Sequence, residues 1–152
     1  MFNNKPADKP FNDAEEKRII QSIEQAELAT SGEIRLHIDL SCTIPPLERA
    51  AACFDELGMG ATELKNGVLI YLSLKEHSFA IIGDKGINEK VPEGFWDSTR
   101  DLMMSHFKKN ELVEGICAGI EHAGEQLKLH FPLAHNDKNE LNNDISFGNH
   151  EE

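Results

Sequence analysis

The chain has 152 residues, 39% of them apolar and 28% charged, which suffices for one domain with its own hydrophobic core. Its net charge of −12 argues against nucleic-acid binding, which needs Lys and Arg clustered against phosphates, and against an anionic membrane surface. No apolar run reaches the roughly 18–20 residues of a membrane span, and Cys42, Cys53 and Cys117 are spaced for neither a disulfide framework nor a zinc motif, so reduced thiols in or near the core are expected.

Residues 1–11 are polar with two prolines and are expected to be loose. The N-terminal Met1-Phe2-Asn3-Asn4-Lys5-Pro6 lacks the apolar centre of an export signal, so the cytoplasm is the expected compartment. Asn12 followed by Asp13-Ala14-Glu15 reads as a capping box. From there Ile19, Ile20, Ile23 and Ala26 mark one helical face up to a stop near Ser31-Gly32. Ile34-Arg35-Leu36-His37-Ile38-Asp39-Leu40 alternates with period two and predicts a strand. Its polar side, Arg35, His37 and Asp39, suits a strand at the edge of a sheet. After Pro45-Pro46 a second helix carries Leu47, Ala50, Ala51, Phe54 and Leu57 and ends at Gly58.

Two apolar runs follow, Val68 to Leu74 and Ser78 to Ile82, joined by Lys75-Glu76-His77. They predict a hairpin whose first strand is covered on both faces. A third helix is expected from about Glu93 to His106, and a fourth from about Glu111 to Leu129 with Leu112, Ile116, Ile120, Ala123 and Leu127 inward. The domain is therefore placed at residues 12–131, with an acidic Asn/Asp/Glu-rich tail over 132–152. Leu141, Ile145 and Phe147 could dock a short piece of that tail. This order of elements gives an α/β class, a three-layer α/β/α sandwich with a small mixed sheet.

A hairpin brings the start of its first strand beside the end of its second, so Asn66 and Asp84 are expected on one rim of the sheet. A parallel crossover from the first strand adds Ser31-Gly32-Glu33, and the front of the third helix returns there. That rim is the amino end of the first two strands. Ligands in open parallel sheets usually sit at the other end.

Taken together, Thr30-Ser31-Gly32-Glu33-Ile34-Arg35, Gly58-Met59-Gly60 leading to Asn66-Gly67-Val68-Leu69-Ile70-Tyr71, and Ile82-Gly83-Asp84-Lys85-Gly86-Ile87 resemble the TPM domain family. Val91-Pro92, Phe95-Trp96, Asn139-Glu140-Leu141 and Asp144-Ile145-Ser146 fit a compact bacterial branch of it. The resemblance implies Rossmann-like layering and a divalent-cation site, calcium in some members, made by loops at one end of the sheet. It also implies phosphatase or nucleotide-hydrolysing activity in some members, and a location outside the cytoplasmic membrane in many. The family's hairpin-exit loop is typically glycine–aromatic–glycine with a Glu shortly after; here it is Gly83-Asp84-Lys85-Gly86 followed by Ile87-Asn88.

For a Ca²⁺ or Mg²⁺ ion the rim offers oxygen ligands from Glu33, Glu63, Asn66, Asp84 and Asp97. The competing reading makes Asn66-Gly67 and Asp84-Lys85-Gly86 plain polar turns. For phosphate hydrolysis Asp84 is the candidate ligand or base, Lys65 or Lys85 the counter-charge, and Asp101 an assisting carboxylate. No phosphate-loop motif is present. His37 could act as a base, but an exposed or partly satisfied histidine is the simpler reading. His130 and His135 read as solvated, Trp96 and Met103-Met104 as packing. Asp137, Glu140 or Asp144 could fold back towards a cation. The expected partners are a phosphorylated small molecule or a protein, with the chain a monomer. The alternative function is a non-catalytic interaction module whose loops and tail a cation orders.

Overall fold

A computed structural model describes residues 10–133 and 143–148 of the chain. Helix α1 (Asp13–Glu27) begins as the sequence dictates. The Asn12 side chain accepts from the Glu15 N–H at 2.8 Å, and the Glu15 carboxylate accepts from the Asn12 N–H at 2.9 Å. Strand β1 (Glu33–Asp39) follows, then α2 (Pro46–Glu56), which starts on a proline at its first turn and ends at Gly58 in the left-handed conformation (φ +67°). A short 3-10 turn, Met59–Ala61, leads into the hairpin of β2 (Gly67–Ser73) and β3 (Ser78–Gly83).

The exit of the hairpin departs from expectation. Instead of a loop, Lys85–Asn88 forms a one-turn helix, α3, because the Asp84 side chain accepts from the Lys85 N–H at 2.7 Å and caps it. The next helix, α4 (Asp97–Phe107), starts four residues later than expected. Gly94 at φ +80° sits in the left-handed region and cannot belong to a continuous helix. Helix α5 (Leu112–His130) matches its apolar stripe, and the tail returns as β4 (Ser146–Gly148). Phe11, assigned to the loose leader, is buried and packs against Phe147 of β4, with ring centroids 6.4 Å apart. Leu141, His135, Asp137 and Glu140 lie outside the described residues.

The four strands form one mixed sheet in the order β3-β2-β1-β4, with β1 parallel to both β2 and β4, and β2 antiparallel to β3. Strand β1 is thus not at the edge; β4 covers it from His37 to Asp39. One face of the sheet, through Ile34, Leu36, Ile38, Val68, Ile70 and Leu72, forms the larger core beneath α1, α4 and α5. The other face, through Leu69, Tyr71 and Ala80, packs on α2 with Cys53 and Met59. Helices on both faces make the three-layer α/β sandwich. Each large side chain fully buried in these layers contributes about 1.5–3 kcal/mol.

Helix α2 sits rotated from its sequence-read face. Leu47 is exposed, whereas Arg49 and Cys53 point inward with Ala50. The reason is polar: Arg49 reaches a buried carboxylate on β1. All three cysteines are free and buried, and no helix among the described residues is long and apolar enough to cross a membrane.

Candidate functional site

The expected rim forms. The Asp84 N–H donates to the Gly67 carbonyl at 2.9 Å and the Glu33 N–H to the Asn66 carbonyl at 3.3 Å, so all three loop segments meet at one end of the sheet. The Ser31 N–H donates to the Phe131 carbonyl at 2.9 Å, and Phe95 lies 5.3 Å from the His130 ring, which brings the approach to α4 to the same end.

Proximity does not give these residues equal roles. Asn66 is 1% exposed, and its amide nitrogen donates to both the carbonyl and the hydroxyl of Ser31, at 3.2 and 3.3 Å. It ties two loops together and forms a wall of the rim. Glu33 is buried as the first residue of β1, in register with Gly67. Glu63 is exposed on the loop ahead of β2. Asp97 lies in the first turn of α4, largely exposed and ion-paired to Arg100; Asp101, one turn on, is exposed. Lys65, itself at φ 52°, folds its ammonium back onto the Gly60 carbonyl, while Lys85 is exposed beside Asp84. Among the described residues, no group of three or more His, Cys, Asp or Glu side chains is arranged to hold a metal ion. The five candidate ligands therefore share one end of the sheet without forming one carboxylate cluster.

Asp84 stands apart. Its Oδ1 caps α3, but its Oδ2 is buried with no hydrogen-bond partner. Two residues on, Gly86 is wedged under backbone oxygens. A Cβ there would lie 2.3 Å from the Leu64 carbonyl oxygen and 2.4 Å from that of Lys65, so only glycine allows this approach.

One rim residue carries no sequence signal. Glu27, the last residue of α1, accepts from the Ile34 N–H at 2.8 Å. Burial pushes its carboxyl up to about 7 against the pull of that hydrogen bond, helped by the charges of Glu33 and Glu24. A glutamate at a helix end is ordinarily solvated; only the docking of α1 over the start of β1 buries this one.

At the opposite end, His37 and Asp39 of β1 lie in a buried polar network. Asp39, fully buried, accepts from His37 Nε2 at 2.8 Å, Arg49 Nε at 2.9 Å and the Tyr71 hydroxyl at 2.7 Å. His37 Nδ1 meets the Ser146 hydroxyl of β4 at 2.9 Å. Burial alone would raise the Asp39 carboxyl, but the hydrogen bonds from His37, Arg49 and Tyr71 hold it far below the usual range. The Asp39 hydrogen bond raises the Arg49 guanidinium, and burial raises the Tyr71 hydroxyl. Cys53 nearby is pushed up to about 12 by burial, and Cys117 also rises for that reason, so neither is an activated thiol. His37 is neither a free base nor exposed, as the simpler reading allowed: it is buried with both ring nitrogens hydrogen-bonded. The signal for this network lay in the sequence: a strand inside a sandwich with His37 and Asp39 on one side requires buried partners for them.

A family model described as the TPM domain matches residues 7–126. Among solved structures, the BA42 protein of the psychrophilic bacterium Bizionia argentinensis is 42% identical, with a TM-score of 0.88 over 94% of this chain and 99% of that one. The N-terminal domain of a P. gingivalis protein is 19% identical, with a TM-score of 0.68 over 86% of this chain and 85% of that one. The N-terminal domain of the cg2496 protein of Corynebacterium glutamicum is 12% identical, with a TM-score of 0.62 over 83% and 86%. The last two share the fold. No curated protein matches the chain.

Proposed function

This chain belongs to the TPM domain family, and from that premise we propose that the rim takes up a divalent cation, calcium or magnesium, with Asp84 as its anchoring ligand. The observation that carries the reading is the buried, unpartnered Oδ2 of Asp84. A carboxylate oxygen removed from water without a donor is costly, and a hard cation is the group that compensates it. The carbonyl oxygens of Leu64 and Lys65, crowded over Gly86 in the adjoining loop, are of the kind such ions accept. The ligand set thus contracts from the five expected residues. Asp84 anchors it, Glu63 and backbone oxygens of the neighbouring loop supplement it, Glu33 and Asn66 build the wall, and Asp97 stays with Arg100.

The finer proposal is metal-dependent hydrolysis of a phosphate ester or nucleotide. A bound cation would neutralise phosphate charge and lower the pKa of a water. Lys85, exposed next to Asp84, supplies counter-charge to the phosphate, and Asp101 stands on the outer side of α4. A second reading is a non-catalytic interaction module whose loops the cation orders. The engagement of Asp97 with Arg100 favours it, because that carboxylate is then not available beside Asp84.

The test is a Ca²⁺ and Mg²⁺ titration followed by backbone amide NMR, on the natural protein and on Asp84→Asn. The amide substitution keeps an oxygen to cap α3 and removes the charge. Saturable shifts over residues 63–66 and 84–86 that vanish in the variant support the site. Shifts that are absent, or unchanged in the variant, remove it. Cation-dependent phosphate release lost in Asp84→Asn supports hydrolysis; binding without release supports the interaction module.

A further inference from the structure

A hollow of about 350 Å³ opens at the hairpin turn, at the end of β2 away from the rim. Leu72, Leu74, Met104, Phe107 and Leu112 give it mostly apolar walls, and Ser73, Asn110 and the exposed side chains of His77 and Lys108 add polar lining. Ligand pockets typically begin at about 300 Å³ and combine apolar walls with a few polar groups. The location also agrees with the habit of open α/β sheets, in which ligands sit beyond the carboxyl ends of parallel strands.

The walls are held from behind. Phe107 stands edge-on to Phe79, with ring centroids 5.3 Å apart. Behind it Gly115 of α5 lacks a side chain, and a Cβ there would come within 2.5 Å of the Phe107 ring. Phe107 is therefore fixed as a rigid wall before any ligand arrives. The lining comes from three short stretches, at the hairpin turn, the end of α4 and the start of α5.

Charge decides what fits. The chain carries −12 overall, yet the hollow is bordered by Lys108 and His77, with Lys75 and Lys109 next to lining residues along the chain. Two carboxylates also lie near: Glu76, held ionised by its hydrogen bonds from Ser73, the Cys42 N–H and Ser41, and Glu111, paired with His106; the three lysines Lys75, Lys108 and Lys109 outnumber them. Among the described residues, Lys108 and His77 have no ion-pair partner. We propose that this hollow binds a small carboxylate with an apolar body, of medium-chain alkyl or aryl type. Its carbon chain lies among Met104, Phe107 and Leu112, and its carboxylate pairs with Lys108. This proposal is independent of the cation rim, which lies at the other end of β2.

Octanoate and octanol are the probes, titrated into the full chain and followed by backbone amide NMR. The expected result is saturable shifts at residues 72–77 and 104–112, with octanoate binding about two- to fivefold tighter than octanol, the preference an exposed ion pair gives. Lys108→Glu, an exposed substitution compatible with folding, should erase that preference while leaving octanol unaffected. Met104→Trp, which fills the hollow, should abolish binding of both probes. Equal affinity for acid and alcohol, an octanoate response indifferent to Lys108→Glu, or non-saturating shifts overturn the proposal.

Discussion

Glu27→Gln should make the protein more stable at neutral and alkaline pH and leave it unchanged in acid. The carboxyl of Glu27 moves from an ordinary 4.5 to about 7 on folding, chiefly through burial. A raised carboxyl binds its proton more tightly folded than unfolded. Below about pH 4.5 both states are protonated and nothing is lost. Between about 4.5 and 7 the unfolded chain releases the proton first, so stability falls as pH rises, and above 7 the loss is constant. A displacement of this size corresponds to about 3 kcal/mol at full weight. Because the side chain is only partly buried, about 2 kcal/mol is the working expectation after solvent screening. Glutamine keeps an oxygen for the Ile34 N–H, made at 2.8 Å, and removes the ionisable proton. Urea unfolding of both proteins from pH 4 to 8.5 measures the difference directly, since all other groups are common to both. The curves should coincide near pH 4 and separate by about 2 kcal/mol above pH 7.5. A gain of equal size at every pH, or no gain, would refute the assignment of a buried, proton-holding Glu27.

Asp39→Ala should destabilise the fold by about 3–5 kcal/mol, because Arg49 and the Tyr71 hydroxyl lose their buried acceptor; a loss below about 1 kcal/mol in denaturant unfolding would mean the network is energetically idle. Gly148→Val should release β4, since a Cβ there falls 2.6 Å from Asp39 Oδ1 and 2.9 Å from His37 Nε2. Loss of amide protection at Ile38 and Leu40 with the core retained is the expected hydrogen-exchange pattern, and unchanged protection would show that the strand accommodates the side chain.

The capping box of α1, the period-two run of β1, the hairpin and the apolar stripe of α5 were legible in the residues because each is decided locally. Capping geometry, alternation, turn chemistry and helical spacing act within a few positions of the chain. The meeting of Asn66 and Asp84 was also legible, since antiparallel pairing alone brings them together. The late start of α4 was not, because the backbone at Gly94 rather than any apolar pattern ends the preceding turn.

What only the tertiary structure decided is the partnering of polar groups. Nothing local distinguishes Leu47 from Arg49 as the inward residue of α2; the buried carboxylate of Asp39, ten positions away, does. Glu27 looks like any helix-end glutamate until α1 covers the start of β1. Likewise Glu33, Asn66, Asp84 and Asp97 read alike as oxygen ligands. Asn66 is taken by Ser31 and Asp97 by Arg100, and Asp84 is left with the one buried oxygen among the candidate ligands that has no hydrogen-bond partner. Local sequence sets which backbone forms, but desolvation and pairing depend on what arrives from elsewhere in the chain, and those set the chemistry of each carboxylate.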